Sequence, residues 1–317
     1  GLDVDEVFST HLYDGNSGTQ TITNGIDLSS EGGLVWVKRR DGNLTHALFD
    51  TERGVGKLLQ SNLSNSEYGT NTPGDDLTNF NSNGFTLGDG QFTSINYNSV
   101  SWTFRKAPKF FDVVKYDGSS SAQTIAHNLG VTPAVIIVKQ LNGSGRWTVY
   151  HKDASPTGNP QNGRLALNTT DAWNEYPTVS SFNTLWNQTA PTSTHFTVGT
   201  NATTGANGSK YVAYLFANNN NDGEFGPNAD QDIIKCGSVT IDGTGNATVN
   251  LGFEPQWLLI RNASSSGYDW QIFDTMRGFR ASPDNGAPSL SANSTSGDSG
   301  QGDPNLTSTG FEWDGGG

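Results

Sequence analysis

The chain has 317 residues, with 18 basic and 31 acidic side chains, a formal net charge of −13 and a pI near 4.6. No basic cluster is present that could neutralise a phosphate backbone, which excludes nucleic acid as an expected partner. The single cysteine, Cys236, rules out an intramolecular disulfide framework, and no apolar run approaches the roughly 20 residues of a membrane-spanning helix.

In chain order, VFSTHLYDG (7–15) alternates at a period of two and closes on Asp14 and Gly15, which predicts a strand ended by a turn. TQTITNGIDL (19–28) predicts a second strand, and the short apolar run LVWVK (34–38) a third. THALFDTERG leads a strand into a loop, and 73–83 reads as loop. NGFTL (83–87) and SVSWTFRKA (99–107) close the series. The order then replays as FFDVVKYDG (110–118), QTIAHNLG (123–130), VIIVK (135–139), Trp147 to His151, RLALNTT (164–170), THFTVG (194–199) and YVAYLFA (211–217). It begins a third time with DIIKCGSVT in the place of the first strand, followed by ATVNLGFEP (247–255), WLLIR (257–261), WQIFDTMRG and TGFEW (309–313). Helical periodicity is absent, so the expected class is all-β.

Self-similarity at this period is read as a tandem array. We expect three antiparallel β-sandwich units of jelly-roll or concanavalin-like type at residues 1–107, 108–222 and 223–317. The anchors Val35–Val37, Ile136–Val138 and Leu258–Ile260 should be buried central strands. The first two units end with SVSWTFRK and YVAYLFA, whereas TGFEW is followed only by a short stretch to Gly317, so the third unit is expected to lack its final strand. Either the polypeptide continues past Gly317, which the run of glycines favours, or a neighbouring subunit donates the strand.

FDTERG and FDTMRG place Asp50 before Arg53 and Asp274 before Arg277 at a spacing that permits a charge-assisted bond across one turn. A structural turn is the expectation, with catalytic carboxylates of glycoside-hydrolase type, or glycan ligands, as the alternative. Against catalysis, the second unit carries His151, Lys152 and Asp153 at that place. The five histidines show no short-spaced pair, and no nucleophile-elbow, P-loop or dinucleotide-binding motif is present, so an enzyme is not expected. The loop aromatics Trp173, Tyr176 and Trp186, with Asn187, could form a platform for a sugar ring, a buried satellite cluster being the alternative. Asn218 to Asp232 is rich in side-chain oxygens, among them Asp222, Glu224 and Asp230. It reads as an interdomain linker, with a calcium loop as the alternative.

The stretches GGLVWVKRR with FDTERG, SWTFRKAPKFFDVVKYDG, HNLGVTPAVIIVK with YVAYLFA, and DGEFGPNADQDIIKCGS through LGFEPQWLLIRN to FDTMRG touch all three units. In them the chain resembles virion structural proteins, of tail-fibre or appendage type, from marine tailed phages including cyanophages. The resemblance implies location in the extracellular virion and assembly with other copies of the chain and with other virion proteins. It leaves two functions: a fibre, appendage or outer-shell component whose loops contact host-surface glycans, or a polysaccharide-degrading tailspike enzyme.

Overall fold

The structure is a computed structural model, and it describes residues 1–69, 76–91, 96–175, 185–281, 286–302 and 304–314. It is almost all β, built from several antiparallel sheets. No helix among the described residues is long and apolar enough to cross a membrane.

The first segment runs through β1 (Phe8–Asp14), β2 (Gln20–Thr23), β3 (Gly33–Arg39), β4 (Ala47–Asp50), β5 (Lys57–Leu58), β6 (Tyr68–Gly69), β7 (Leu77–Asn81), β8 (Gly84–Leu87) and β9 (Asn98–Arg105). A four-stranded sheet of order β1-β9-β3-β4 faces a three-stranded sheet of order β2-β8-β7. Between them lies a core that includes Ile22, Val35, Val37, Phe49 and Phe85.

The second segment contains β10 (Phe111–Asp117), β11 (Gln123–Ala126), β12 (Val135–Gln140), β13 (Thr148–His151), β14 (Gly163–Ala166), β15 (Asn174–Glu175), β16 (His195–Val198) and β17 (Lys210–Phe216). The larger sheet has the order β10-β17-β12-β13-β14-β15 and the smaller one pairs β11 with β16. Its core holds Ile125, Ile136, Val138, Phe196 and Trp186.

The third contains β18 (Ala247–Asn250), β19 (Trp257–Ile260), β20 (Gln271–Asp274), β21 (Ala287–Ser291), β22 (Ser299–Gly302), β23 (Pro304–Thr307) and β24 (Gly310–Trp313), in sheets ordered β19-β20-β21-β22 and β18-β24-β23. Phe273, Phe279 and Phe311 fill the space between these two sheets.

The anchor runs are apolar at every position because both faces of the large sheets are covered. Side chains alternate across a strand, so Val35 and Val37 enter the core of their own segment while Leu34 and Trp36 point the other way. Ile136 and Val138 alternate in the same manner with Ile137, and Leu258 and Ile260 with Leu259. The outward faces of all three large sheets meet in one central cluster that contains Trp36, Trp102, Trp147, Tyr214, Trp270 and Ile272.

One expectation fails by itself, since 73–83, read as loop, contains β7 (Leu77–Asn81) paired with β8, and two others need correction together. Residues 232–241 form no strand, although they occupy the sequence place of β1 and β10. Leu258–Ile260 is an edge strand, half-buried, and not a central buried one. Both follow from one cause: β9 and β17 sit between the first strand and the anchor of their segments, and β19 has no neighbour on that side among the described residues.

Candidate functional site: the junction of the large sheets

The junction is built from side chains at corresponding register positions. Asp50 pairs opposite Leu34, His151 opposite Val135, and Asp274 opposite Trp257, so the three residues end equivalent strands. Asp50 Oδ1 accepts the Arg53 backbone N–H at 2.9 Å, and Oδ2 accepts Arg53 Nε at 2.5 Å. Asp274 and Arg277 repeat this at 2.9 and 2.6 Å. The turn closes on Gly54 and Gly278, whose φ of 88° and 115° a side chain would strain. The remaining guanidinium hydrogens go to Leu48 O and Lys57 O from Arg53, and to Ile272 O and Asp298 from Arg277. Both pairs are thus fully buried, locally paired and satisfied, and neither Asp faces a second carboxylate across a groove.

Each of these carboxylates also accepts from the last strand of another segment. Tyr214 Oη donates to Asp50 Oδ2 at 2.7 Å, and Trp102 Nε1 donates to Asp274 Oδ2 at 2.9 Å. Burial raises the Tyr214 phenol well above its ordinary range, so the donor proton stays in place.

Three further sets of bonds cross the same boundaries in the same directions. At the end of each anchor a cation donates to backbone carbonyls of a neighbouring segment: Lys38 to Thr295 O, Lys139 to Ser64 O, and Arg261 to Thr169 O and Asp171 O. At the start of each following strand a ring N–H does likewise, Trp147 Nε1 to Gln60 O at 3.1 Å and Trp270 Nε1 to Ala166 O at 2.9 Å. His46 occupies this position in the first segment and bonds Ser291 O at 2.9 Å. Finally the backbone N–H groups of Leu44, Gly145 and Gly267 reach Thr295 O, Ser64 O and Thr170 O. Lys38, Lys139, His46, Trp147 and Trp270, all buried, are satisfied here by partners in a different segment, which ties burial of one sheet to the position of its neighbour.

His46 also accepts from Trp36 Nε1 at 2.8 Å through Nδ1, so Nε2 carries the proton and the ring is neutral. Burial, reinforced by the nearby charges of Lys38 and Arg277, pulls it down to about 3. A histidine depressed in the folded state contributes stability that is present above its unfolded value and is lost as pH falls toward its folded value. Between pH 8 and pH 5 the native state should therefore lose about 2 kcal/mol through this residue. Urea titrations of wild type and His46→Gln at the two pH values check this, and a wild-type loss no larger than that of the variant would count against it.

The other candidate residues fall elsewhere. Trp186 is 2% exposed, stacks edge-on with Tyr150 and donates to Gly163 O, so it is a core residue of the second segment and offers no face to a sugar. Trp173 is half-buried, with its indole N–H on Glu175 and its backbone N–H on Ala263 O. Asn187 is exposed on a loop, and Tyr176 lies outside the described residues. An aromatic side chain gains from being covered, which is why Trp186 lies in the core and takes no part in a surface platform. Nor do the acidic side chains between 218 and 232 converge. Glu224 pairs with Lys109 at 2.7 Å, Asp222 accepts the Asn220 N–H, and Asp230 is exposed. Asp232, rather than these, organises the loop by accepting the N–H groups of Asn221, Asp222 and Gly223. The described residues contain no group of three or more His, Cys, Asp or Glu side chains that could hold a metal ion. Burial pushes the Cys236 thiol up to about 12, and it donates to Ala217 O, as an unreactive thiol does.

A protein-family profile described as a domain of unknown function, DUF7483, matches residues 3–316. The chain belongs to that family. The match runs through all three segments. No match was found among curated proteins or solved structures.

Proposed function

We propose that residues 1–107, 108–222 and 223–317 are three copies of one β-sandwich unit closed into a ring, and that this DUF7483 protein is a structural component of a tailed-phage virion. The observation that carries this reading is the set of cyclic bonds at the junction. Unit one donates to unit three, unit two to unit one, and unit three to unit two, through equivalent groups each time: His46, Trp147 and Trp270, and Lys38, Lys139 and Arg261. A closed ring of large sheets with a shared apolar centre is stiff, because no unit can move without exposing the centre and stranding buried donors. Stiffness at low cost in sequence variety is what a fibre, appendage or shell component requires, and the resemblance to virion proteins supplies the setting.

In this reading the partners are further copies of the chain and other virion proteins, and contact with host glycans belongs to exposed loop residues such as Asn187. Trp186 has no part in it. The experiment is incubation of the chain with capsule and lipopolysaccharide from susceptible bacteria, together with antibody labelling of purified phage particles. Decoration of the particle with no new reducing ends is expected, and retention of glycan without cleavage would add an adhesive role. New reducing ends would replace this reading with a tailspike enzyme, and unlabelled particles would remove the virion.

A further inference from the structure

We propose that the free edge of β19 is a docking slot for one extended segment of the pattern Val-x-Tyr-x-Phe, inserted antiparallel between Trp257–Ile260 and residues 232–241. The proposal rests on the repeat reading above, since the chain itself shows the slot filled twice. β9 lies between β1 and β3, and β17 lies between β10 and β12, antiparallel on both sides. In that register Val100, Trp102 and Phe104 of β9 correspond to Val212, Tyr214 and Phe216 of β17, and all six enter the central cluster.

Four features mark the third site as built for the same occupant. β19 is hydrogen-bonded only to β20 among the described residues and is half-buried, whereas Leu34–Val37 is fully buried. Residues 232–241 form no strand and are held at their beginning by bonds from the backbone N–H groups of Ile233, Ile234 and Cys236 to Asn219 and Asn218. Beyond them Val239 and Ile241 are exposed, although apolar side chains in a strand-like run are normally covered. The indole N–H of Trp257 is shut off from solvent with no partner among the described residues, while its ring packs on Phe8 and Phe104 of the first unit.

The chemistry of the occupant follows from its place in the ring. Its central aromatic would lie where Trp102 meets Asp274 and Tyr214 meets Asp50, which in the second unit is His151. His151 Nδ1 accepts the Asp153 N–H, so in the neutral ring Nε2 is the donor. A tyrosine hydroxyl can accept that hydrogen bond and an indole cannot, which selects Tyr at this position. A second copy of the chain is a poor source, because β9 and β17 are each paired on both edges and would have to leave their own sheets. The occupant is therefore a segment of this pattern from outside residues 1–317, added to the edge by backbone hydrogen bonds with the alternate side chains giving specificity.

The probe is a synthetic peptide of sequence KYVAYLFA, the chain's own 210–217, with lysines at both ends for solubility, added to the 1–317 chain and followed by amide hydrogen exchange. Exchange at Leu258–Ile260 and at 233–241 should slow by about 100-fold, with a peptide carrying proline at alternate positions without effect. A fusion that carries the same sequence behind a flexible linker after residue 317 serves where the free peptide binds weakly, and should show the same protection. Changing the central tyrosine of the fused strand to tryptophan should lose most of it. Slow exchange at Val35–Val37 and Ile136–Val138 with fast exchange at 258–260 that neither probe alters would overturn the slot and leave the ring intact. Fast exchange at all three anchors would overturn the ring itself. Protection of 258–260 in the chain alone, with a dimer in sedimentation, would assign the edge to a second copy and overturn the proposed occupant.

Discussion

Asp50→Ala should destabilise the chain by about 3–5 kcal/mol, the cost of leaving a buried charge without its partner. Arg53 keeps carbonyl acceptors at Leu48 and Lys57, but its guanidinium is almost fully buried, and Glu67, at 3.3 Å, is too distant to replace a carboxylate at 2.5 Å. The substitution also removes the acceptor of Tyr214 Oη, so the damage crosses from the first unit into the second. A double-mutant cycle with Tyr214→Phe should give a coupling of about 1–2 kcal/mol by urea denaturation. A suitable control stands at the corresponding turn of the second unit, where Lys152 and Asp153 pair at 2.5 Å but are each about a third exposed. Asp153→Ala should change stability by less than about 1 kcal/mol. Equal effects at Asp50 and Asp153 would mean that burial does not set the strength of the turn.

Trp102→Ala should cost about 3–5 kcal/mol for the lost volume, with a further contribution from Asp274 deprived of a donor. The ring is fully buried, meets Trp36 edge-on at 5.8 Å between centroids, and lies under the Arg277 guanidinium at 5.5 Å. Trp102→Phe separates the two parts: most of the apolar volume remains while the donor to Asp274 is lost, and about 1–3 kcal/mol is expected. Thermal unfolding followed at separate probes in the first and third units tests the ring more directly. Both transitions should shift together in Trp102→Ala, because the residue belongs to one unit and its acceptor to another. A shift confined to residues 8–105 would show that the junction does not couple them.

What the residues alone determined is local. Period-two alternation in VFSTHLYDG, the doubly apolar runs LVWVK and VIIVK, and the turn chemistry of FDTxRG sufficed for an all-β chain, because strand periodicity and turn chemistry are short-range properties. The turn pairing of Asp50 with Arg53 is likewise decided within four residues. Trp173, Trp186 and Asn187 show where such reasoning ends. A tryptophan between strands has the same composition whether it lines a binding face or fills a core, and only packing against Tyr150 and Gly163 put Trp186 inside. The junction was visible only in fragments: the cation after each anchor, Lys38, Lys139 and Arg261, is in the sequence, but its acceptors at Thr295, Ser64 and Thr169 are set by how three sheets meet. The same holds for residues 232–241, whose alternating pattern suits a strand yet forms none. A strand exists only when a neighbouring edge satisfies its backbone groups, and that edge is a property of the tertiary structure.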